Sequence, residues 1–555
     1  MTTSTRQRRG RVPTLLPLLA IAGLFAATSG ARADDTPSKC TYVEVASLPI
    51  RYVGPYLEPA VDGTIDGTPA TMLVDTGSSQ THLTMNGATR RDLSLFMTGR
   101  WVEGVGGMSR IYGARLKDFS IGPAKAGHRP QLTVIGSMTF TPAYDAIVGA
   151  PFLLQTDLEL DLPAKRMKFY RPQACEGTEL LLWKENTVVL PFARGYGDTP
   201  NPLFKVVING KELDAMIDSG AGDSFIRLDA AKRAGIDVKA PGAVPTLSAG
   251  GVGTERAAQW IVPVKTLQLG EETIRDVRLT VTDAQGTGGA ELYFGRDFLR
   301  THRVLFAMSQ KKVYIAYLGG NVFEHGARLE PWMRAEADGG NPDAQYVLAT
   351  MYNNGRGVAR DPLQAGIWLE MAAKAGQPNA NLQRGRQQML AGQVDTAIPQ
   401  LRRALDQLPA DRLGPLWLYV ARVRHGEAEL AKTELQAARR QQKEDDWPAP
   451  IADFYLGKID AARLLEEAGK DAKLARNRTC MAQSYMAEWH EAYGNTAEAG
   501  ALRTTLGTQC ARRPAPAAAA KQPPATPATP GTPATPAAPA PAQPAGDAAP
   551  QDAAS

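Results

Sequence analysis

Two short segments hold residues whose types and spacing could do chemistry: Met72-Leu73-Val74-Asp75-Thr76-Gly77 and Met216-Ile217-Asp218-Ser219-Gly220. Taken singly, an Asp-Thr/Ser-Gly triplet reads as a turn in which Asp caps and Gly supplies a positive φ. Taken together, the two triplets offer a pair of carboxylates. Held about 3 Å apart, two carboxylates cannot both ionise, so they share one proton and titrate as a unit. The ionised member can take a proton from water while the protonated member donates to a carbonyl oxygen, so one dyad does both base and acid work. Asp75 and Asp218 are the candidate dyad. Gly77 and Gly220 leave room for two loops to approach, and the Thr76 and Ser219 hydroxyls suit cross-bonding of those loops beneath the site. Such chemistry requires no metal, no cofactor and no acyl-enzyme.

The same order of elements surrounds each triplet. In the first copy a strand from Tyr56 to Ile65 turns at Asp66-Gly67 into the strand that ends at Asp75; Gly104-Val105-Gly106-Gly107 follows, and the copy closes with Ile147-Val148-Gly149. In the second a strand from Leu203 to Ile208 turns at Asn209-Gly210 into the strand that ends at Asp218; Gly250-Gly251-Val252-Gly253 follows, and Tyr293-Phe294-Gly295 closes. Asp-Gly and Asn-Gly between apolar runs are hairpin signals. From Asp75 to Gly149 is 74 residues and from Asp218 to Gly295 is 77, so order, content and spacing all repeat.

These residues resemble the pepsin/retropepsin clan of aspartic peptidases over roughly residues 50–318, about half the chain. The resemblance implies an all-β bilobal fold of two fused retropepsin-like halves, at 47–172 and 187–318, and endoproteolysis by water attack across Asp75 and Asp218. It implies that Gly149 and Gly295 lie behind the dyad. It further implies that Gly104, Gly106 and Gly107, and Gly250, Gly251 and Gly253, belong to flaps over a cleft, with Tyr112 a candidate flap aromatic. Gly295-Arg296-Asp297 is similar to the retroviral Gly-Arg-Asp/Asn segment, whose Arg braces the fold through an ion pair; the first copy has Gly149-Ala150-Pro151 and lacks that brace. The loop Ala221-Gly222-Asp223 is also looser than the clan's pattern. This asymmetry leaves a second reading open, a catalytically inactive scaffold that grips a peptide while helical repeats recruit a partner.

Beyond Glu330 the texture turns helical. From Ala335 to Gly376, residues including Ala344, Gln345, Leu348, Tyr352, Gly355, Gly357, Asp361, Ala365, Trp368, Ala372 and Ala373 resemble a Sel1 repeat, a relative of the tetratricopeptide repeat. Looser segments at Gly385–Leu405, Leu416–Ala438, Pro448–Glu467 and Met481–Leu506 extend an all-α solenoid over 330–510, with Trp447-Pro448-Ala449-Pro450 a turn between pairs. Such solenoids carry concave faces that hold peptides or partner proteins. Helical apolar spacing equally describes plain core, so a purely supporting role fits as well.

The ends and the composition bound the rest. Arg6, Arg8, Arg9 and Arg11 precede an apolar run from Leu15 to Thr28, and Ala31-Arg32-Ala33 offers a cleavage point, the layout of a signal peptide over 1–33; an uncleaved anchor is the alternative. Export, with nothing eukaryotic elaborated, points to a bacterial periplasm. Cys40, Cys175, Cys480 and Cys510 allow three pairings; Cys40 with Cys175 and Cys480 with Cys510 bracket successive units and are preferred, in an oxidising compartment. Residues 513–555 are Ala, Pro and Thr, holding 12 of the chain's 40 prolines, a density that prevents helix or sheet and reads as a disordered tail. The net charge of +5 from 62 basic and 57 acidic residues, without a basic block in the mature chain, argues against nucleic acid as the main partner. One candidate apolar stretch excludes a polytopic membrane protein. The six histidines are scattered, which supports no metal site, and neither a Gly-x-Ser-x-Gly elbow nor a phosphate-binding loop occurs. A peptide or protein substrate is the expected partner, with no membrane span once the leader is removed.

Overall fold

Asp66 and Gly67 (φ 51° and 74°) and Asn209 and Gly210 (φ 49° and 78°) turn two equivalent hairpins, each with two successive positive φ values that Asp, Asn and Gly tolerate best. The computed structural model describes residues 40–175, 177–180, 183–193, 201–246, 248–284, 289–323, 329–409, 411–441, 447–472 and 474–510. The expected leader at 1–33 and tail at 513–555 lie outside the described residues. In the first half, Thr68–Asp75 pairs antiparallel with Glu58–Ile65 and parallel with Ala146–Gly149, so that Gly149 stands beside Asp75. In the second, Lys211–Ile217 pairs antiparallel with Phe204–Ile208 and parallel with Leu292–Phe294. A short helix follows each closing glycine, Ala150–Leu153 and Arg296–Leu299.

A third, six-stranded sheet joins the halves, with three strands from each in the order Thr41–Pro49, Arg166–Gln173, Asp157–Asp161, His302–Ala307, Lys312–Tyr317, Thr187–Pro191. Its central seam is antiparallel, Leu158 against Phe306 and Leu160 against Val304. Strand alternation sends these four into the main core with Met167, Phe169, Val313 and Ile315, while Leu305, Ala307 and Tyr314 line a second cluster on the other face with Cys175 and Leu180. The main core therefore runs unbroken through both halves. The first strand starts at Thr41, ahead of residue 47, because Thr41 pairs with Gln173 and the Cys40–Cys175 disulfide closes that edge.

The helical part begins with Pro331–Asp338, followed by paired helices Pro342–Asn354 and Pro362–Lys374, Pro378–Leu390 and Val394–Gln407, Gly414–Arg424 and Ala428–Gln441, Ala449–Tyr455 and Ala461–Gly469, and Ala475–Ala492 and Thr496–Gln509. Asn341 and Asp361 cap the first pair, each side chain accepting two backbone N–H bonds with proline at the first helical position, and Gly355 ends its helix with φ 64°. The Cys480–Cys510 disulfide staples the last pair. The molecule is thus a β-rich, two-lobed body followed by an all-α helical array. No described helix is long and apolar enough to cross a membrane.

Candidate active site

Each aspartate ends a buried strand, and the strand's own repeat brings its loop to the seam between the halves. In the first loop Asp75 Oδ1 accepts the backbone N–H groups of Gly77 (3.0 Å) and Ser78 (2.9 Å); in the second, Asp218 Oδ1 accepts those of Gly220 (3.0 Å) and Ala221 (3.1 Å). The loops approach so closely that a Cβ on Gly77 would lie 2.2 Å from Asp218 Cγ, and one on Gly220 2.5 Å from Asp75 Cγ. Only glycine fits at either position.

Beneath the carboxyls the two hydroxyls cross over. Ser219 N donates to Thr76 Oγ1 (3.1 Å) and Thr76 N to Ser219 Oγ (3.1 Å), while Thr76 Oγ1 donates to the Ile217 carbonyl (2.8 Å) and Ser219 Oγ to that of Val74 (2.7 Å). Both residues are fully enclosed. Behind the dyad, Gly149 and Gly295 pack against the loops that follow the aspartates: a Cβ on Gly149 would meet the Gln80 carbonyl oxygen at 2.4 Å, and one on Gly295 would meet Asp223 backbone at 2.6 Å. Ala150 N then donates to the Ser78 carbonyl and Arg296 N to that of Ala221.

Burial raises both carboxyls above the ordinary carboxylate range. The charge of Asp218 then drives Asp75 further up, while the backbone N–H groups of Ala221 and Gly220 hold Asp218 down. Asp75 is held down in the same way by the N–H groups of Ser78 and Gly77, so two raised, mutually repelling carboxyls favour one shared proton and titrate as a unit.

The two glycine segments form hairpin turns of unequal regularity. Residues 104–107 form the tip of a hairpin between Leu95–Gly104 and Gly107–Arg115. Residues 250–253 lie in the turn of a looser hairpin, in which Val244–Pro245 pairs with Gln259–Leu269 and Ala249 stands opposite Ala257. This turn bonds to the first, Gly106 N donating to the Val252 carbonyl (2.8 Å) and Glu255 N to that of Gly106 (2.8 Å), while Gly253 N donates to the Ser137 carbonyl (3.1 Å). Together the two segments roof the cleft. Tyr112 is not a flap aromatic. Its place in the strand register, opposite Met97 and Val134, turns it into the main core at 8% exposure. Arg296 also departs from expectation. Its guanidinium braces carbonyls, those of Gly220 (2.9 Å) and Tyr56 (3.4 Å), where the resemblance implied an ion pair.

Three neighbours of the dyad had no sequence signal. Buried Asn201 donates to the Thr76 carbonyl (2.7 Å), holding the first loop from the second half. Glu58 and Tyr144 are both buried and line the same cleft as Asp75. Burial pushes the Glu58 carboxyl up to about 7, with the Arg296 charge opposing the rise. Because the folded-state value lies above the ordinary 4.5, the stability contributed by Glu58 is fully present below pH 4.5 and is lost as pH rises through 7. We expect Glu58→Gln to remove a loss on the order of 3 kcal/mol between pH 5 and pH 8, measured by urea unfolding at both values. Equal pH dependence in the two proteins would sink this assignment.

Fold and site define a class: a two-lobed β protein with an aspartate pair at the junction of its lobes, the arrangement of aspartyl proteases. The second half, residues 204–298, matches the aspartyl protease family, and the first, residues 61–154, matches the gag-polyprotein aspartyl protease family; residues 342–377 match the Sel1 repeat. Among solved structures the chain is similar to the aspartic proteinase from Irpex lacteus, at 14% identity and a TM-score of 0.33 over 50% of this chain and 97% of that one. No curated protein matches the sequence.

Proposed function

We propose that this protein is an exported aspartic endopeptidase in which Asp75 and Asp218 activate a water for attack on a peptide carbonyl. The observation that carries the reading is the reciprocal approach of the two loops, each glycine leaving only enough space for the other's carboxyl. The ionised member of the Asp75/Asp218 pair takes the proton of a water held between the carboxyls as its oxygen bonds to the peptide carbonyl carbon. The protonated member donates to the carbonyl oxygen, giving a neutral gem-diol. On collapse the C–N bond breaks, the proton taken from water passes to the leaving amine, and a gem-diol hydroxyl returns a proton to the carboxyl that donated one. Gly104, Val105, Gly250, Gly251 and Val252 of the two turns line the cleft, where a bound peptide would lie against them. The same reading divides the chain into a leader at 1–33, peptidase halves at 47–172 and 187–318, a helical repeat domain at 330–510 and a tail at 513–555. Two disulfides fit an extracellular or periplasmic protein, and within that range we favour the bacterial periplasm.

Cleavage of a mixed peptide library between about pH 3 and 8 tests the reading. Wild type is expected to cut, a statine-type transition-state mimic to block it, and Asp75→Asn and Asp218→Asn each to lower kcat/KM by about 10³-fold or more. Cleavage retained in either variant, or absent from wild type at every pH, would overturn it.

A further inference from the structure

The cavity over the dyad does not end at the β halves. It is continuous over about 1640 Å³, larger than the roughly 300–1,000 Å³ of small-molecule sites, and suits an extended polypeptide. Asp75 and Asp218 lie in its lining, and so do Tyr346, Val347, Thr350, Met351 and Asn354 of helix Pro342–Asn354 in the Sel1-like repeat. Those five positions fall at i, i+1, i+4, i+5 and i+8, which is one face of an α-helix.

The opposite face fixes the helix in place. Ala344, Leu348 and Ala349 are buried in a cluster with Tyr52 and Leu57 of the first peptidase half. Asn341 Nδ2 donates to the Tyr52 carbonyl (3.0 Å), the Arg300 guanidinium stacks over Trp332 at 3.7 Å, and Lys165 pairs with Glu336. Residues 55–58, which continue directly from this docking site, themselves line the cavity. Helix and cleft rim are one packed unit. A helix that served only as a spacer would present polar residues on such a face. This one presents Val347 and Met351, half-buried, between Thr350 and Asn354; Val347 and Tyr346 also pack at the edge of the docking cluster, whereas Met351 does not.

Resting on the peptidase reading, we propose that this helix face is a remote subsite of the substrate cleft. It takes an apolar side chain of the polypeptide several residues from the scissile bond, while Thr350 and Asn354 hydrogen-bond its backbone. The apolar, adaptable Met351 and the amphipathic ring of Tyr346 suit a side chain such as Leu or Phe. The repeat thereby selects long, extended substrates over short ones.

The test takes one sequence cut in the library and makes it as a six-residue peptide and as peptides extended on either side, with Leu or Phe at successive added positions. In wild type the best extension is expected to raise kcat/KM by about tenfold or more, the effect of burying one apolar side chain. In Val347→Asp and Met351→Asp, and in the milder Val347→Ala and Met351→Ala, the ratio of long to short kcat/KM is expected to fall to within about twofold of unity. A wild-type enzyme that cuts the short peptide but gains nothing from any extension overturns the subsite and leaves the peptidase standing. So does a ratio that the four variants preserve, including an equal loss on both peptides. If wild type cuts neither peptide the peptidase reading fails, and fluorescence anisotropy with a labelled sixteen-residue Leu/Phe peptide then decides the subsite by whether the same variants weaken binding.

Discussion

Gly77→Ala and Gly220→Ala are expected to lower cleavage nearly as far as loss of an aspartate, by about 10² to 10³-fold in kcat/KM. An added methyl at residue 77 would sit 2.2 Å from Asp218 Cγ and 2.3 Å from its Oδ1; at residue 220 it would sit 2.5 Å from Asp75 Cγ and within 2.7 Å of both its oxygens. Carbon atoms attract at about 3.5–4.0 Å and repel steeply inside it, so each methyl must drive the loops apart by about 1 Å or more. A dyad opened by that distance cannot share a proton across a direct contact, and the water it holds is misplaced. The folded state should survive at a cost of about 1–3 kcal/mol, because the strain is confined to the seam. Gly366→Ala is the control: nothing lies within 4 Å of its Cβ position and it sits in a helix, so a gain of about 0.5–1 kcal/mol with unaltered cleavage is expected. Steady-state cleavage and urea unfolding of the three variants check this. Wild-type kcat/KM in Gly220→Ala would mean that the loops do not meet as described.

The second large effect falls on stability. In Thr76→Val the side-chain shape is kept but the Ser219 N–H and the Ile217 carbonyl lose their partner; in Ser219→Ala the Thr76 N–H and the Val74 carbonyl lose theirs. An orphaned buried polar group costs about 1–3 kcal/mol, so each single variant should lose about 3 kcal/mol. The two hydroxyls serve one joint and lie 3.4 Å apart. Once one is gone the joint loosens and water reaches the other's partners. The double variant is therefore expected to fall short of the sum by about 1 kcal/mol or more in a double-mutant cycle read by chemical denaturation. Additivity within about 0.5 kcal/mol would show the two hydroxyls acting independently.

What could be read along the chain was local. The hairpins at Asp66-Gly67 and Asn209-Gly210 follow from the positive φ that those residues accept, and the helix caps at Asn341 and Asp361 follow from a short acceptor side chain before proline. The paired Asp-Thr/Ser-Gly triplets, their spacing to Gly149 and Gly295, and the switch from β to helical texture near Glu330 were equally open to inspection. Each is a matter of residue type at a fixed offset.

Other features waited for the tertiary structure because they join residues far apart in the chain. Asn201 reaches Thr76 across 125 positions, Arg296 reaches Tyr56 across 240, and Asn341 reaches Tyr52 across 289. No offset announces such contacts. The resemblance offers Tyr112 as a flap aromatic, but a register set with Met97 and Val134 turns it into the core. Both glycine segments are hairpin turns, as their residue types suggest, yet only packing could show the tip of one bonded to the tip of the other. The burial of Glu58 and Tyr144, like the place of a Sel1-like helix in the lining of the same cavity as the aspartates, depends on which surfaces the β halves leave uncovered. Sequence alone determined the two Asp-Thr/Ser-Gly segments as the candidate site and the strands that carry them. The meeting of the loops, the roof and the reach of the cleft were decided by tertiary packing, because burial and long-range approach are properties of the assembled core.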